Sequence, residues 1–412
     1  MSLGRRLLFA TICALSIATV YSAQPILTRI GNDLGISGGA LGWIVTAGQL
    51  GYLVGLALLV PLGDMVDRRK LIAGHLLFTA VGVLIAATAA RGWVMLAGVA
   101  VAGLFAVVVQ TTVAYAADLS APRERGRTLG LVTSGVVLGI LGARIVAGAA
   151  ATAWGWRSVY AAEAVLLVVL AVLVLMRLPT DTRTGSAEYR QVLTASIRLF
   201  GGGLFLSRGL IALFLFASFG ALWSGMALPL EASPWHLGSA QIGLFGLAGL
   251  AGALGAGRAG RWADGGYASM VTGAALALLA VSWLATAQAS WSLWLLVIGV
   301  IVLDFAVQSV HVSNQHLLTA SHPDRTSSVI GGYMLFYSVG SALGAVTTTT
   351  VYSVAGWTGS SILGAAYAIG ALVVWAVSRR VARHGPATAE FACAATATGP
   401  TVRLREGRRL PC

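Results

Sequence analysis

Asp304, Gln308, His311 and Gln315 follow one another at steps of four, three and four inside an otherwise apolar stretch. On an α-helix that spacing puts all four on one face. The surroundings make such a face expensive. An ionisable group at the centre of a bilayer costs at least about 2.5–3.5 kcal/mol, so it turns towards protein or a water-filled cavity. Low-dielectric surroundings favour the protonated form of a carboxylate. Asp304 therefore has the chemistry of a proton carrier, with His311 assisting and Gln308 available to a substrate. A structural ladder of hydrogen bonds to neighbouring helices would use the same stripe. Gln315, near the helix end, would be solvated.

Two further charges lie in apolar stretches. Arg144 and Glu163 are almost equally far from the turn at Trp154-Gly155-Trp156. A helical hairpin brings them to similar depth, where they could form an ion pair. Alternatively, Arg144 faces a central cavity and binds an anionic group or balances Asp304. Gln24, Gln110 and Trp223 are polar-tipped residues suited to lining such a cavity, as is Tyr21, although packing would also use the aromatic rings. Asp67 stands beside Arg68 and Arg69 at one helix junction, and Asp264 at another. A carboxylate there can hold a helix N-terminus or a nearby arginine and release it in a second conformation, so these residues are candidate gating elements. A solvated loop is the alternative.

The elements that position these residues follow from composition. The chain has 412 residues, 57% hydrophobic and 10% charged, where a soluble domain carries about 25% charged residues. Apolar stretches long enough to span a bilayer, about 20 residues each, lie near 7–27, 40–61, 71–90, 93–117, 128–150 and 158–178. A second set lies near 207–229, 239–259, 267–288, 291–314, 328–350 and 358–378. They are continuous rather than alternating, so helices rather than barrel strands are expected.

The net charge of +13 is distributed as a topology signal. Arg5, Arg6, Arg68, Arg69, Lys70, Arg123, Arg125, Arg127, Arg183, Arg190, Arg198, Arg258, Arg261 and Arg325 fall in one set of alternate loops, with the tail arginines. The other set holds Arg29, Arg91 and Arg157. The asymmetry predicts cytoplasmic termini and no nucleic-acid partner. Cys13, Cys393 and Cys412 make neither a disulfide framework nor a metal spacing. The run Gly255 to Gly260 matches a dinucleotide fingerprint in form, but it ends a span and opens no βαβ unit. No phosphate loop or other catalytic motif is visible. Neither enzyme activity, cofactor nor metal is expected.

The halves echo each other. Gly63-x-x-x-Asp67 closes the second span and Gly260-x-x-x-Asp264 the eighth; Val109-Gln110 lies in the fourth and Val307-Gln308 in the tenth. These pairs mark parallel repeats, which place a substrate site at their interface near mid-membrane. The segment from Gly63 to Lys70 resembles the cytoplasmic signature of the major facilitator superfamily, Gly260 to Asp264 is similar to its second-half repeat, and Pro122 to Arg127 resembles its loop between helices four and five. Ala23-Gln24-Pro25-Ile26-Leu27 and the run Gly135 to Arg144 resemble the bacterial drug and sugar efflux branch, relatives of arabinose-efflux permeases. Ile140 stands where that branch's antiporter signature carries proline, and Val99 near where it carries an arginine.

The resemblance implies an all-α membrane protein of twelve transmembrane helices in two pseudo-symmetric six-helix bundles. On this reading residues 1–178 form the N-terminal half, 179–203 a cytoplasmic linker, 204–379 the C-terminal half and 380–412 a disordered cytoplasmic tail. The expected function is secondary active transport of a small organic molecule by alternating access, as proton-coupled efflux across a bacterial plasma membrane. Importer, symporter or facilitator on the same fold is the alternative, and a non-transporting membrane sensor a more distant one. Small-molecule substrate, protons and lipid are the expected partners; the sequence leaves substrate identity and oligomeric state open.

Overall fold

A computed structural model describes residues 1–121, 124–180, 202–255, 268–321 and 326–384. Residues 181–201 of the linker expected over 179–203, the motif from Gly260 to Asp264, Arg123 and the tail beyond 384 lie outside the described residues, and so does the gating candidate Asp264.

Twelve helical spans are present among the described residues. Span one runs from Leu3 to Leu34, span two Gly38–Leu58, span three Arg68–Ala87 and span four Gly92–Asp118. Span five is Arg125–Trp154 and span six Trp156–Arg177. Span seven is Gly203–Glu231, span nine Ser269–Ser290 and span ten Leu293–Ser321, with the shorter span eight, Ser239–Gly255, between seven and nine. Spans eleven and twelve share one helical run, Thr326–His384, broken at Gly356 by a φ of 61°. That run carries helix past Arg379, into the start of the expected tail.

The breaks have local causes. Span one extends further than the 7–27 expected, because its helix Leu3–Tyr21 does not end the apolar run. It passes through a 3₁₀ turn at Gln24–Ile26 and resumes as Leu27–Leu34. Pro25 lacks the N–H that an unbroken α-helix would need there. Gly155, at φ 82°, and Gly356 take a conformation that residues with a Cβ rarely adopt. Each makes a tight turn followed by a tryptophan. Trp156 Nε1 donates to Asp33 at 3.0 Å, and Trp357 Nε1 to the Thr286 carbonyl at 2.9 Å. The turns occupy equivalent places in the two halves.

The outside is greasy. Phe78, Leu84, Val165, Met176, Leu284 and Ile362 are all exposed. A surface of this kind is at home in lipid. Inside each half, glycine brings backbones into direct contact. A Cβ on Gly51 would collide with the Ala100 carbonyl of span four, one on Gly103 with the Gly48 carbonyl of span two, and one on Gly82 with the Ala102 amide. Gly135 and Gly139 seat span five against Ala10 and Ala14 of span one in the same way. Gly48, Gly51 and Gly55 thus form a close-packed seam with span four within one half.

The halves meet through spans two and eleven on one side and spans five and eight on the other. Replacing Gly51 by leucine should lower stability in detergent by at least about 1–3 kcal/mol, the usual cost of overpacking. Gly142→Ala, where no atom lies within 4 Å of the added methyl, should leave the melting midpoint unchanged or slightly raised. Equal midpoints for the two variants would contradict the seam.

Candidate functional site

Arg144 projects from span five into the junction of the halves and is 1% exposed. Its Nε donates to Gln24 Oε1 at 2.9 Å, at the break in span one, and its Nη1 to the Ile140 carbonyl at 3.3 Å. Its guanidinium lies 3.7 Å from the centroid of the Trp223 ring and 5.5 Å from that of Tyr21. Such stacking stabilises a cation by about 2 kcal/mol when desolvated. Nη2 has no hydrogen-bond partner among the described residues, and neither has Gln24 Nε2.

Asp304 approaches from span ten, also 1% exposed. Trp223 Nε1 donates to its Oδ2 at 3.3 Å, while Oδ1 is without a partner among the described residues. Asp304 and Arg144 interact electrostatically, without a direct ion pair. The Trp223 ring bridges them, stacking on one and donating to the other. Span eight presents Gly249 and Gly252 to Asp304, so the carboxylate can approach that helix closely. Gln24, Arg144, Trp223 and Met226 line a small cavity.

The ion pair between Arg144 and Glu163 is not formed. Glu163 instead accepts a hydrogen bond from Ser22, in the linker between the first helix of span one and its 3₁₀ turn. Arg144 takes the other alternative and faces the junction with Asp304.

The rest of the span-ten stripe divides. Gln308 is half-buried, one turn from Asp304. His311, seven residues from Asp304 and hence about 10 Å along the axis, belongs to a separate set. Its Nδ1 lies 3.1 Å from Tyr333 Oη and its Nε2 3.1 Å from Gln315 Nε2, and Phe216 meets the ring edge-on. Gln315 is thus a partner of His311 and half-buried, rather than solvated. Gln110 Nε2 donates to Tyr52 Oη at 3.2 Å within the N-terminal half.

At the side of the chain termini, Asp67 caps span three by accepting from the Arg69 amide at 2.9 Å. Arg68 donates to the Gly63 carbonyl and to Asp118 at the end of span four. Arg69 donates to the Leu175 carbonyl of span six. These contacts all lie within the N-terminal half.

Among the described residues, the hydrogen bonds that join the halves fall on the opposite side and at mid-depth. Thr46 Oγ1 donates to the Ala342 carbonyl at 2.9 Å, the Gly42 amide to Thr349 Oγ1 at 3.1 Å, and Arg29 Nε to Ser239 Oγ at 2.8 Å. Tyr21 and Tyr337 share a hydrogen bond between their hydroxyls. Gly148 packs on Ser239, and Gly243 on the Arg144 carbonyl. None of these glycines stood out in the sequence, because a small residue at a junction between halves looks the same as one within a half.

Residues 7–264 match the family model of the Major Facilitator Superfamily. The chain belongs to that superfamily. This major facilitator is a membrane transporter and not an enzyme. It is 41% identical to the "Uncharacterized transporter YgaY" of Escherichia coli O157:H7, over 88% of this chain and 92% of that one. It is 32% identical to the "Probable transporter SCO4007" of Streptomyces coelicolor, over 88% and 84%. Among solved structures it superposes on a bacterial homologue of the human lysosomal transporter Spinster, inward-facing and unoccupied, with a TM-score of 0.75. That match has 14% identity over 92% of this chain and 98% of the other, and it reflects a common fold.

The junction of this major facilitator can be trapped. A Cβ built on Gly39 lies 3.4 Å from Ser353 Cβ, close to the separation of about 3.5–4.5 Å found in disulfides. In a chain with Cys13, Cys393 and Cys412 replaced, the pair Gly39→Cys and Ser353→Cys should cross-link under mild oxidation, and transport should return on reduction. Thiols that stay free to alkylation under oxidant would contradict the closed junction.

Proposed function

We propose that this major facilitator is a secondary active transporter of a small organic molecule, working by alternating access and coupled to protons through Asp304. The observation that carries the reading is the placement of Asp304 and Arg144, opposite charges from opposite halves, at the centre of the junction. Protonation of Asp304 removes its attraction for Arg144. It thereby changes how strongly the halves hold together, which is what coupling requires. Gln24, Trp223 and Gln308 belong to the substrate cavity on this reading, with Gln110 on its N-terminal wall and His311 in a second polar set. Asp67, Arg68 and Arg69 brace the N-terminal half at the gate, with Asp264 as their second-half counterpart.

The arginine bias supports a bacterial plasma-membrane location with cytoplasmic termini. The linker at 179–203 and the tail from 380 then lie inside the cell. With that orientation the described contacts between the halves lie on the external side, which supports an inward-facing reading.

Two directions of coupling share this machinery. The resemblance to the efflux branch supports export against proton entry, in which substrate and proton exclude each other. Arg144 beside Asp304 favours a second reading, symport, in which they bind together.

Proton movement in reconstituted liposomes tests the proposal. Wild-type protein should move protons when a transported substrate is added, and Asp304→Asn should reduce that movement at least about tenfold, the effect of roughly 1.4 kcal/mol. Alkalinisation or acidification on the substrate side distinguishes symport from antiport. Full proton coupling in Asp304→Asn would refute the role of this residue.

A further inference from the structure

Asp304 Oδ1 is an unpartnered acceptor on a residue that is not part of the cavity lining, whereas two side chains of the lining itself carry unpartnered atoms. Arg144 Nη2 and Gln24 Nε2 are both donors, both buried, and both on residues that line the cavity. A buried polar group without a partner is costly, and more so when it is charged. Two adjacent donors with nothing to donate to describe the complement of a ligand acceptor. Because one of them is a guanidinium, whose planar fork matches a carboxylate, the acceptor that fits best is an anionic oxygen pair. The rest of the wall is apolar or aromatic: Pro25, Trp223, Met226 and Ile242.

We infer that the cavity binds a small organic anion, its carboxylate held by Arg144 and Gln24, and that binding takes up a proton at Asp304. The inference rests on the proton-coupled reading above and names the substrate class of that site. Asp304 is the internal counter-charge of Arg144. While it is ionised, a second anion beside Arg144 meets like-charge repulsion in a poorly solvated place. When it is protonated, Arg144 is left as an uncompensated buried cation, and the incoming carboxylate supplies the missing charge. The charges balance: an ionised Asp304 with Arg144 sums to zero, and so do a neutral Asp304, Arg144 and a bound monocarboxylate.

The groups facing this pair from the neighbouring elements do not offer another proton site of the same kind. Span one contributes Tyr21 and Gln24, span seven Trp223 and Phe219, and span eight Gly249 and Gly252. Proton and anion therefore travel in the same half-cycle, as symport. Net direction follows the sum of their two gradients.

The test is binding to the purified full-length protein in a weakly buffered solution with a pH indicator. Acetate, butyrate and benzoate are the anionic probes, with benzamide and benzylamine as neutral and cationic isosteres of the last. At least one carboxylate should bind, with uptake of about one proton per site near neutral pH, and the amide and amine should not. Asp304→Asn should bind the carboxylate without proton uptake. Arg144→Gln should weaken binding by about 10–100-fold, the loss of a hydrogen bond to charge. Asp304→Asn also serves if the Arg144 variant does not fold. Binding of benzylamine or benzamide as tight as that of benzoate, absence of binding by all three carboxylates, or unchanged proton uptake in Asp304→Asn would overturn the inference. If none of the carboxylates binds while substrate-driven proton movement in liposomes still depends on Asp304, the coupled-transport reading stands and the anion assignment falls. If no substrate moves protons, the coupled reading itself falls.

Discussion

A guanidinium kept away from both water and lipid must find its stabilisation in protein, and the centre of this molecule is arranged around that requirement. Arg144 stacks on Trp223, donates to Gln24 and lies within the field of Asp304. These partners come from spans seven, one and ten, so satisfying one side chain draws both halves together. The break in span one serves the same need: it turns Gln24 into the junction at the level of Arg144. The two charged residues sit where the halves meet, and not within either half. The fixed glycine seams lie elsewhere, inside the halves.

The fold was legible because lipid leaves so few options. Twelve apolar stretches of spanning length could only be helices, and the arginine bias and paired motifs divided them into two sets of six. The exceptions are instructive. Span one, expected over 7–27, runs on to Leu34, because a single 3₁₀ turn at Gln24–Ile26 absorbs Pro25 and the helix resumes. The Gly-Trp pairs at 155–156 and 356–357 were a third repeat signal, as plain in the sequence as the paired Val-Gln, but a positive φ is visible only once the turn is seen.

The site was legible in part, and the division follows the range of the information. The face formed by Asp304, Gln308, His311 and Gln315 is a matter of helical spacing, which a sequence displays. Whether its members act together is not. His311 belongs with Tyr333 and Phe216, from spans eleven and seven, and only packing could assign it there. Arg144 had two equally sound destinations because depth in a hairpin is read from spacing but rotation about the helix axis is not. The hydroxyl contact between Tyr21 and Tyr337 joins residues 316 positions apart, and no local pattern announces it. Asp67 was legible as a helix-end carboxylate; its role as the cap of span three fits that reading.

The seams in which glycine brings backbone against backbone have a mechanical side. Where Gly51 meets Ala100 and Gly103 meets Gly48, no long side chains stand between the helices to bend and take up a displacement. Spans two and four are thus joined like the plies of a laminate. A push applied to one face of the N-terminal bundle at the gate is transmitted to its other face with little loss, as in a stiff lever rather than a sponge. A displacement that starts at one buried side chain of the junction can then be felt across the full thickness of the membrane.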